Sequence, residues 1–173
     1  MVRSEGVSDT LQAALSLLEA APTILRSLLA NLPDSILTAD LDRGWSPKRI
    51  LAHEVDVERI FAERLHRMIN EDNPTIASID PLTALDAGDL PSRPVAELLD
   101  RLAAQRSETV AWLRTLTEAQ LRRTAHHDTL GGFTVSQLIH YWPTHYLAHI
   151  SSIRRMLVAV LRHEVGPIEE FDI

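Results

Sequence analysis

The sequence contains no cysteine. That excludes disulfides, thiolate metal ligands and a cysteine nucleophile, and it suits a reducing compartment. Thiol chemistry, if any, must use a thiol that the substrate brings. Positive charge is also scarce: 17 Lys and Arg stand against 24 Asp and Glu, for a formal net charge of -7. A nucleic-acid backbone is therefore a poor partner, because phosphate binding needs Lys and Arg clustered on one face. The Arg pairs at 122–123 and 154–155 are too short to change this. No apolar run approaches the ~18 residues of a membrane span. The opening MVRSEGVSDT has no apolar stretch behind a basic end, so no export signal is expected. These absences predict a soluble, cytoplasmic protein without membrane or nucleic-acid partners. Residues 1–173 have the length of one domain that can bury its own core.

Helical periodicity is what the chain has in quantity. From Thr134 to Leu161, Val135, Leu138, Trp142, His145, His149, Ile153, Met156 and Val160 recur in steps of three and four, which places them on one helix face. Thr134 with Gln137 forms a capping-box pattern that marks the start of this helix. An earlier helix begins equally clearly, with Ser46 as cap and Pro47 in the first turn, and is predicted to reach Asn70. Its apolar stripe is Ile50, His53, Val57, Ile60, Phe61, Leu65 and Met68. Lys48, Arg49, Glu54, Glu58, Arg59, Glu63 and Arg67 are expected mostly on the opposite side. Trp45, just before the cap, is placed to fold back on this helix as an apolar lid.

Two more long helices are expected. Ser8 to Asn31 carries a leucine stripe interrupted by Pro22, which predicts one bent element. Val95 to Leu116 is the other, followed by a brief helix capped by Thr117 and Gln120. The 32–46 stretch reads as a loop with a short helical turn, and 71–92 as a long connection. RRTAHHDTLGGF reads as a polar loop, and the acidic tail after Arg162 as surface chain. No segment has the alternation of a β-strand. Four amphipathic helices of roughly 20 residues predict an all-α four-helix bundle, whose long connections allow an order other than up-down-up-down.

Bundle interiors build metal sites from facing helices. His145 and His149 lie one turn apart on a buried stripe, and His53 lies on another that must meet it in the core. Three imidazoles leave open positions on a divalent ion, as in a reactive rather than a structural site. Zinc or nickel is favoured, and iron and manganese are also compatible with imidazoles. A lone histidine on such a stripe is usually a core residue, but two or three without a metal would each need a hydrogen-bond partner, and these stripes offer few polar ones. The HYLAH segment differs from the zinc-protease HExxH pattern because Tyr146 stands where the general base would be. Asp56 could orient a ligand or act as a base, or simply pair with Arg59 or Arg49. His140 falls on a different face, as a flank or pocket-rim residue. His126 and His127 sit in the predicted loop, where substrate contact is conceivable, and His66 and His163 have no assigned role. Pro143 should bend the last helix just before the histidine pair.

GWSPKRILAHEVDVERIF, LEAAPTILRSLLANLPDSIL and GGFTVSQLIHYWPTHYLAHISSIRRML together resemble the DinB-like (YfiT-like) metalloprotein family over nearly the whole chain. The resemblance implies a four-helix bundle with a divalent metal held by His53, His145 and His149, the same three residues that the stripes single out. It also implies metal-assisted use of low-molecular-weight thiols such as mycothiol, bacillithiol or glutathione in transfer or isomerisation. Other members of the family are described as hydrolases or stress-induced proteins. A homodimer is implied as well. Three functions follow as expectations: a thiol-dependent transferase or isomerase acting on small molecules, a metal-dependent hydrolase, and a metal-stabilised bundle that binds a ligand or partner without turnover.

Overall fold

The helix starts are local events. Ser8 Oγ accepts from the Leu11 N–H at 3.2 Å, and Ser46 Oγ from the Arg49 N–H at 3.2 Å. Thr134 and Gln137 form the reciprocal pair, with Gln137 N–H donating to Thr134 Oγ1 at 3.1 Å and Thr134 N–H to Gln137 Oε1 at 2.8 Å. The computed structural model describes residues 8–162 and 164–166. The chain runs α1 (Asp9–Leu29), α2 (Asp34–Leu37), α3 (Pro47–Asn70), β1 (Thr75–Ile76), α4 (Pro81–Asp86), α5 (Val95–Leu113), α6 (Glu118–Leu121), β2 (Thr124–His127), β3 (Gly131–Thr134) and α7 (Val135–Arg162). A turn of 3-10 helix, Leu90–Ser92, lies between α4 and α5. Among the described residues no helix is long and apolar enough to cross a membrane.

The long helices α1, α3, α5 and α7 form the four-helix bundle. α1 packs on α5 and α7, and so does α3, which leaves α1 and α3 on one diagonal. Two apolar clusters fill the interior and give the helix directions. One cluster joins the first half of α1 (Leu11, Leu15, Leu18) to the second half of α3 (Phe61, Leu65, Met68), the end of α5 and the start of α7. The other joins the second half of α1 to the start of α3 (Ile50, Leu51), the start of α5 (Leu98, Leu99) and the second half of α7. Hence α1 and α7 run one way, and α3 and α5 the other. The connection after α3 must therefore return the whole length of the bundle before α5 can begin. That is why it is long, and it lies along the α3 flank, where Arg49 holds Asp86 of α4 at 2.6 Å.

Several expectations need correction. Among the described residues there are three short strands where none was expected: β1 pairs parallel with β2, and β2 antiparallel with β3. RRTAHHDTLGGF is thus largely a hairpin, whose return strand starts at Gly131 with φ of 80°, a conformation that favours glycine. Glu54 and Glu58 do not lie on the outer side of α3 but are 0 % and 1 % exposed. α5 ends at Leu113, short of Leu116, with Arg114 as its C-cap. Pro22 leaves α1 a single helix. Its missing N–H frees the Leu18 carbonyl, which instead accepts from Arg106 Nη1 at 3.2 Å. Pro143 likewise lies inside an uninterrupted α7. His163 and the tail from 167 lie outside the described residues.

Candidate metal centre

α3 and α7 run antiparallel against each other, and their stripes bring three imidazoles together. The His53 and His149 ring centroids are 5.0 Å apart, those of His53 and His145 5.6 Å, and those of His145 and His149 4.6 Å. Trp45 closes one side as the sequence suggested, 5.4 Å from His53 and 6.3 Å from His149. The Asp42–Trp45 bridge sets its position, in a turn that Asp40 pins through the Gly44 N–H at 2.9 Å. Glu54, next to His53 in sequence, completes the group: one donor atom from each of His53, Glu54, His145 and His149 lies within 4.8 Å of all the others. Glu54 Oε1 is 3.9 Å from the Nε2 atoms of both His145 and His149.

Burial sets the protonation of this cluster. It lowers the His53 imidazole to about 4, with repulsion from His145 adding and Asp56 opposing. It lowers His149 to about 3, helped by His145 and His53, and lowers His145 as well. All three are thereby held neutral at pH 7, the form that offers a lone pair to a metal. Burial pushes the Glu54 carboxyl up to about 8, against the pull of Arg106 and with help from Glu58. Among the described residues neither Glu54 oxygen has a hydrogen-bond partner, and the buried Nε2 of His145 has none. Orphaned buried donors and acceptors of this kind are costly. A divalent ion among them would satisfy the imidazole lone pairs and the carboxylate together, so the residues present fit such an ion.

Beneath the imidazoles, on the core side, lies a polar layer that the sequence reading missed. Arg106 of α5 donates to Glu58 at 2.6 Å, and its guanidinium carbon lies 5.2 Å from the Trp142 ring centroid and 5.6 Å from that of Tyr146. Burial pushes the Glu58 carboxyl up despite Arg106. Tyr146, noted in sequence only as a missing base, is buried and donates its hydroxyl to the Ala21 carbonyl.

On the outer side the imidazoles form the floor of a cavity of about 740 Å³ between α3, α7, the 78–84 segment and the hairpin. Phe61, Phe133, Tyr141 and Leu138 give it largely apolar walls, and Arg64 is the one lysine or arginine among its lining residues. This is the size of a pocket for a small organic molecule. Asp56 lines it and holds Arg59 at 2.9 Å, so the pairing weighed for it in sequence is present. His127, on β2 rather than in a loop, also lines the cavity. His126, on the same strand, is exposed. His140 lies apart from the cluster, with Nδ1 2.7 Å from the Ser136 carbonyl. His66 stacks on Trp112 at 3.9 Å.

A bundle with diagonal consecutive helices and a histidine cluster at the α3–α7 seam defines a class. The match to the DinB superfamily model over residues 17–164 shows that the chain belongs to that superfamily. Among its relatives is YfiT of Bacillus subtilis, named "Putative metal-dependent hydrolase", 26 % identical over 148 residues and aligned over 83 % of each chain. A protein of the same description from Geobacillus kaustophilus is 27 % identical over 152 residues, 83 % of this chain and 84 % of the other. The solved structure of Bacillus subtilis YfiT, described as a four-helix bundle of unusual topology, superposes with a TM-score of 0.82 at 23 % identity, covering 92 % of this chain and 93 % of that one. This likeness establishes the fold.

Proposed function

We propose that the chain is a metal-dependent enzyme acting on a small, largely apolar molecule, and that its reaction is hydrolysis. One observation carries the reading: three neutral imidazoles, from His53, His145 and His149, converge on the floor of an apolar cavity of about 740 Å³. Those three hold the ion, with zinc or nickel favoured. When bound, a divalent ion supplies Lewis acidity that polarises a substrate carbonyl and makes water acidic enough to react near neutrality. The protein supplies the rest. Trp45 and the aromatic walls exclude bulk water and hold the apolar body of the substrate. Arg64, half-buried and tethered through the Ala77 carbonyl at 2.9 Å, offers a cation to a substrate that carries an anionic end. Asp56, which engages Arg59 through Oδ1, takes the proton of the attacking water and returns it to the leaving group as the acyl bond breaks. The names of the relatives support hydrolysis.

A second reading is thiol transfer. The cavity has room for a small thiol beside an electrophile, and the chain has no cysteine to compete for the metal. Metal content should be measured by mass spectrometry on protein purified without a nickel column, for the native chain and His53→Ala. Model esters and arylamides are then assayed with and without glutathione and related thiols. Near-stoichiometric metal lost in His53→Ala, with ester turnover that needs no thiol, is the expected result. Turnover only with thiol would replace hydrolysis by transfer, and bound metal without turnover of any kind would leave a metal-stabilised binding bundle.

A further inference from the structure

The floor of the cavity has a second side. Glu54 leaves α3 one residue after His53, is 0 % exposed, and is absent from the residues lining the cavity. It approaches the imidazoles from the core, opposite the face that substrate would use. Neither of its oxygens has a hydrogen-bond partner among the described residues. At 3.9 Å from the Nε2 atoms of His145 and His149, Oε1 is too far to receive a hydrogen bond and close enough to share an ion with them. Donors on one zinc-like ion, each about 2.0–2.2 Å from it, lie roughly 3–4 Å apart.

The polar groups around it leave its oxygens without a partner. The polar layer holds two carboxylates, Glu54 and Glu58, and one guanidinium, Arg106. Arg106 donates to Glu58 at 2.6 Å and to the Leu18 carbonyl at 3.2 Å, and none of its donors is hydrogen-bonded to Glu54. Glu54 is left facing the imidazoles with no hydrogen-bond partner among the described residues, and a buried polar group in that position is costly.

Resting on the metal-binding reading above, we propose that Glu54 is the fourth protein donor to the metal and its only anionic one, bound from the core side so that the cavity-facing positions stay open to water and substrate. An ion that accepts five or six ligands then suits the site better than one confined to four. Because the group that balances Glu54 is the ion itself, the carboxylate sets how tightly the ion is held.

The test is metal affinity on the full chain, by competition with a chromophoric chelator for Zn²⁺ and Ni²⁺, for the native protein and Glu54→Gln, with melting curves of both after metal removal. Glu54→Gln should bind each ion at least tenfold more weakly, while its metal-free form melts near metal-free native protein, because the side chain has no hydrogen bond there to lose. Native affinity in Glu54→Gln would overturn the assignment and leave the three-histidine reading intact. A metal-free Glu54→Gln that melts well below the native protein would also overturn it, by showing that the carboxylate has a partner without metal. A native chain that binds neither ion would remove both readings at once.

Discussion

Arg106 Nε donates to Glu58 Oε2 at 2.6 Å, and both side chains are 1 % exposed. The pair joins α5 to α3 directly behind the histidine cluster, and the Leu18 carbonyl that Pro22 cannot occupy takes a second donor of Arg106. Removing one member of such a pair leaves the other charge buried and unpaired. Glu58→Gln or Arg106→Met alone should each lower stability by about 3–5 kcal/mol. The double variant should lose much less than the sum of the two, and urea unfolding of the four proteins as a double-mutant cycle measures that difference. Additive losses would mean that the two side chains act independently.

The same pair shows where the sequence was readable and where it was not. The ends of α3 and α7 were legible because Ser46, Pro47, Thr134 and Gln137 act within one turn of themselves. The histidine trio was legible because each member sits in step with apolar neighbours. Glu54 and Glu58 were not, because α3 is clasped by both α5 and α7 and buries a wider arc than a single stripe. The available signal was on the other helix: Arg106 falls midway between Leu102 and Val110 at four-residue steps, a lone cation on an apolar stripe that needs a buried anion opposite. The hairpin was illegible for another reason. Thr-Ala-His-His and Gly-Gly-Phe-Thr show no alternation, and β2 pairs through its backbone with β1, some 50 residues earlier, a partner no local pattern announces.

Asp128 ties the hairpin tip to the cavity rim. Its carboxylate accepts from the Ser78 N–H at 2.9 Å and the Ser78 hydroxyl at 2.7 Å, and these bonds hold it down at about 2. A carboxyl with a folded pKa below its ordinary 3.8 adds stability above that value and loses it as the pH falls toward 2. Native protein should therefore melt above Asp128→Asn at pH 5 to 7, with the gap closing by about pH 2. A gap independent of pH would mean that the carboxylate charge does not secure the rim.

Arg64 should act on binding rather than on the chemical step. For an ester substrate carrying a carboxylate, Arg64→Gln is expected to raise KM about tenfold, or ~1.4 kcal/mol, with kcat little changed. A neutral ester of the same shape should show no difference. Equal effects on both esters would place Arg64 in the wall of the cavity rather than at its anionic end.

Metal removal should register in stability as well as in activity, because an ion that binds only the folded chain stabilises it by mass action. At free metal of about one hundred times Kd the gain is ~2.7 kcal/mol, which for a chain of this size is a rise in Tm of roughly 5–11 °C over chelator-treated protein. His149→Ala should lose that response. Its metal-free form should nevertheless melt near metal-free native protein, since burial holds the His149 imidazole neutral and uncharged against its neighbours. Differential scanning calorimetry of both proteins, with chelator and with added zinc or nickel, separates two roles for the ion. A His149→Ala protein that melts far below metal-free native protein would mean that the imidazole supports the bundle without metal. A native melting point indifferent to metal would mean that the cluster does not bind it.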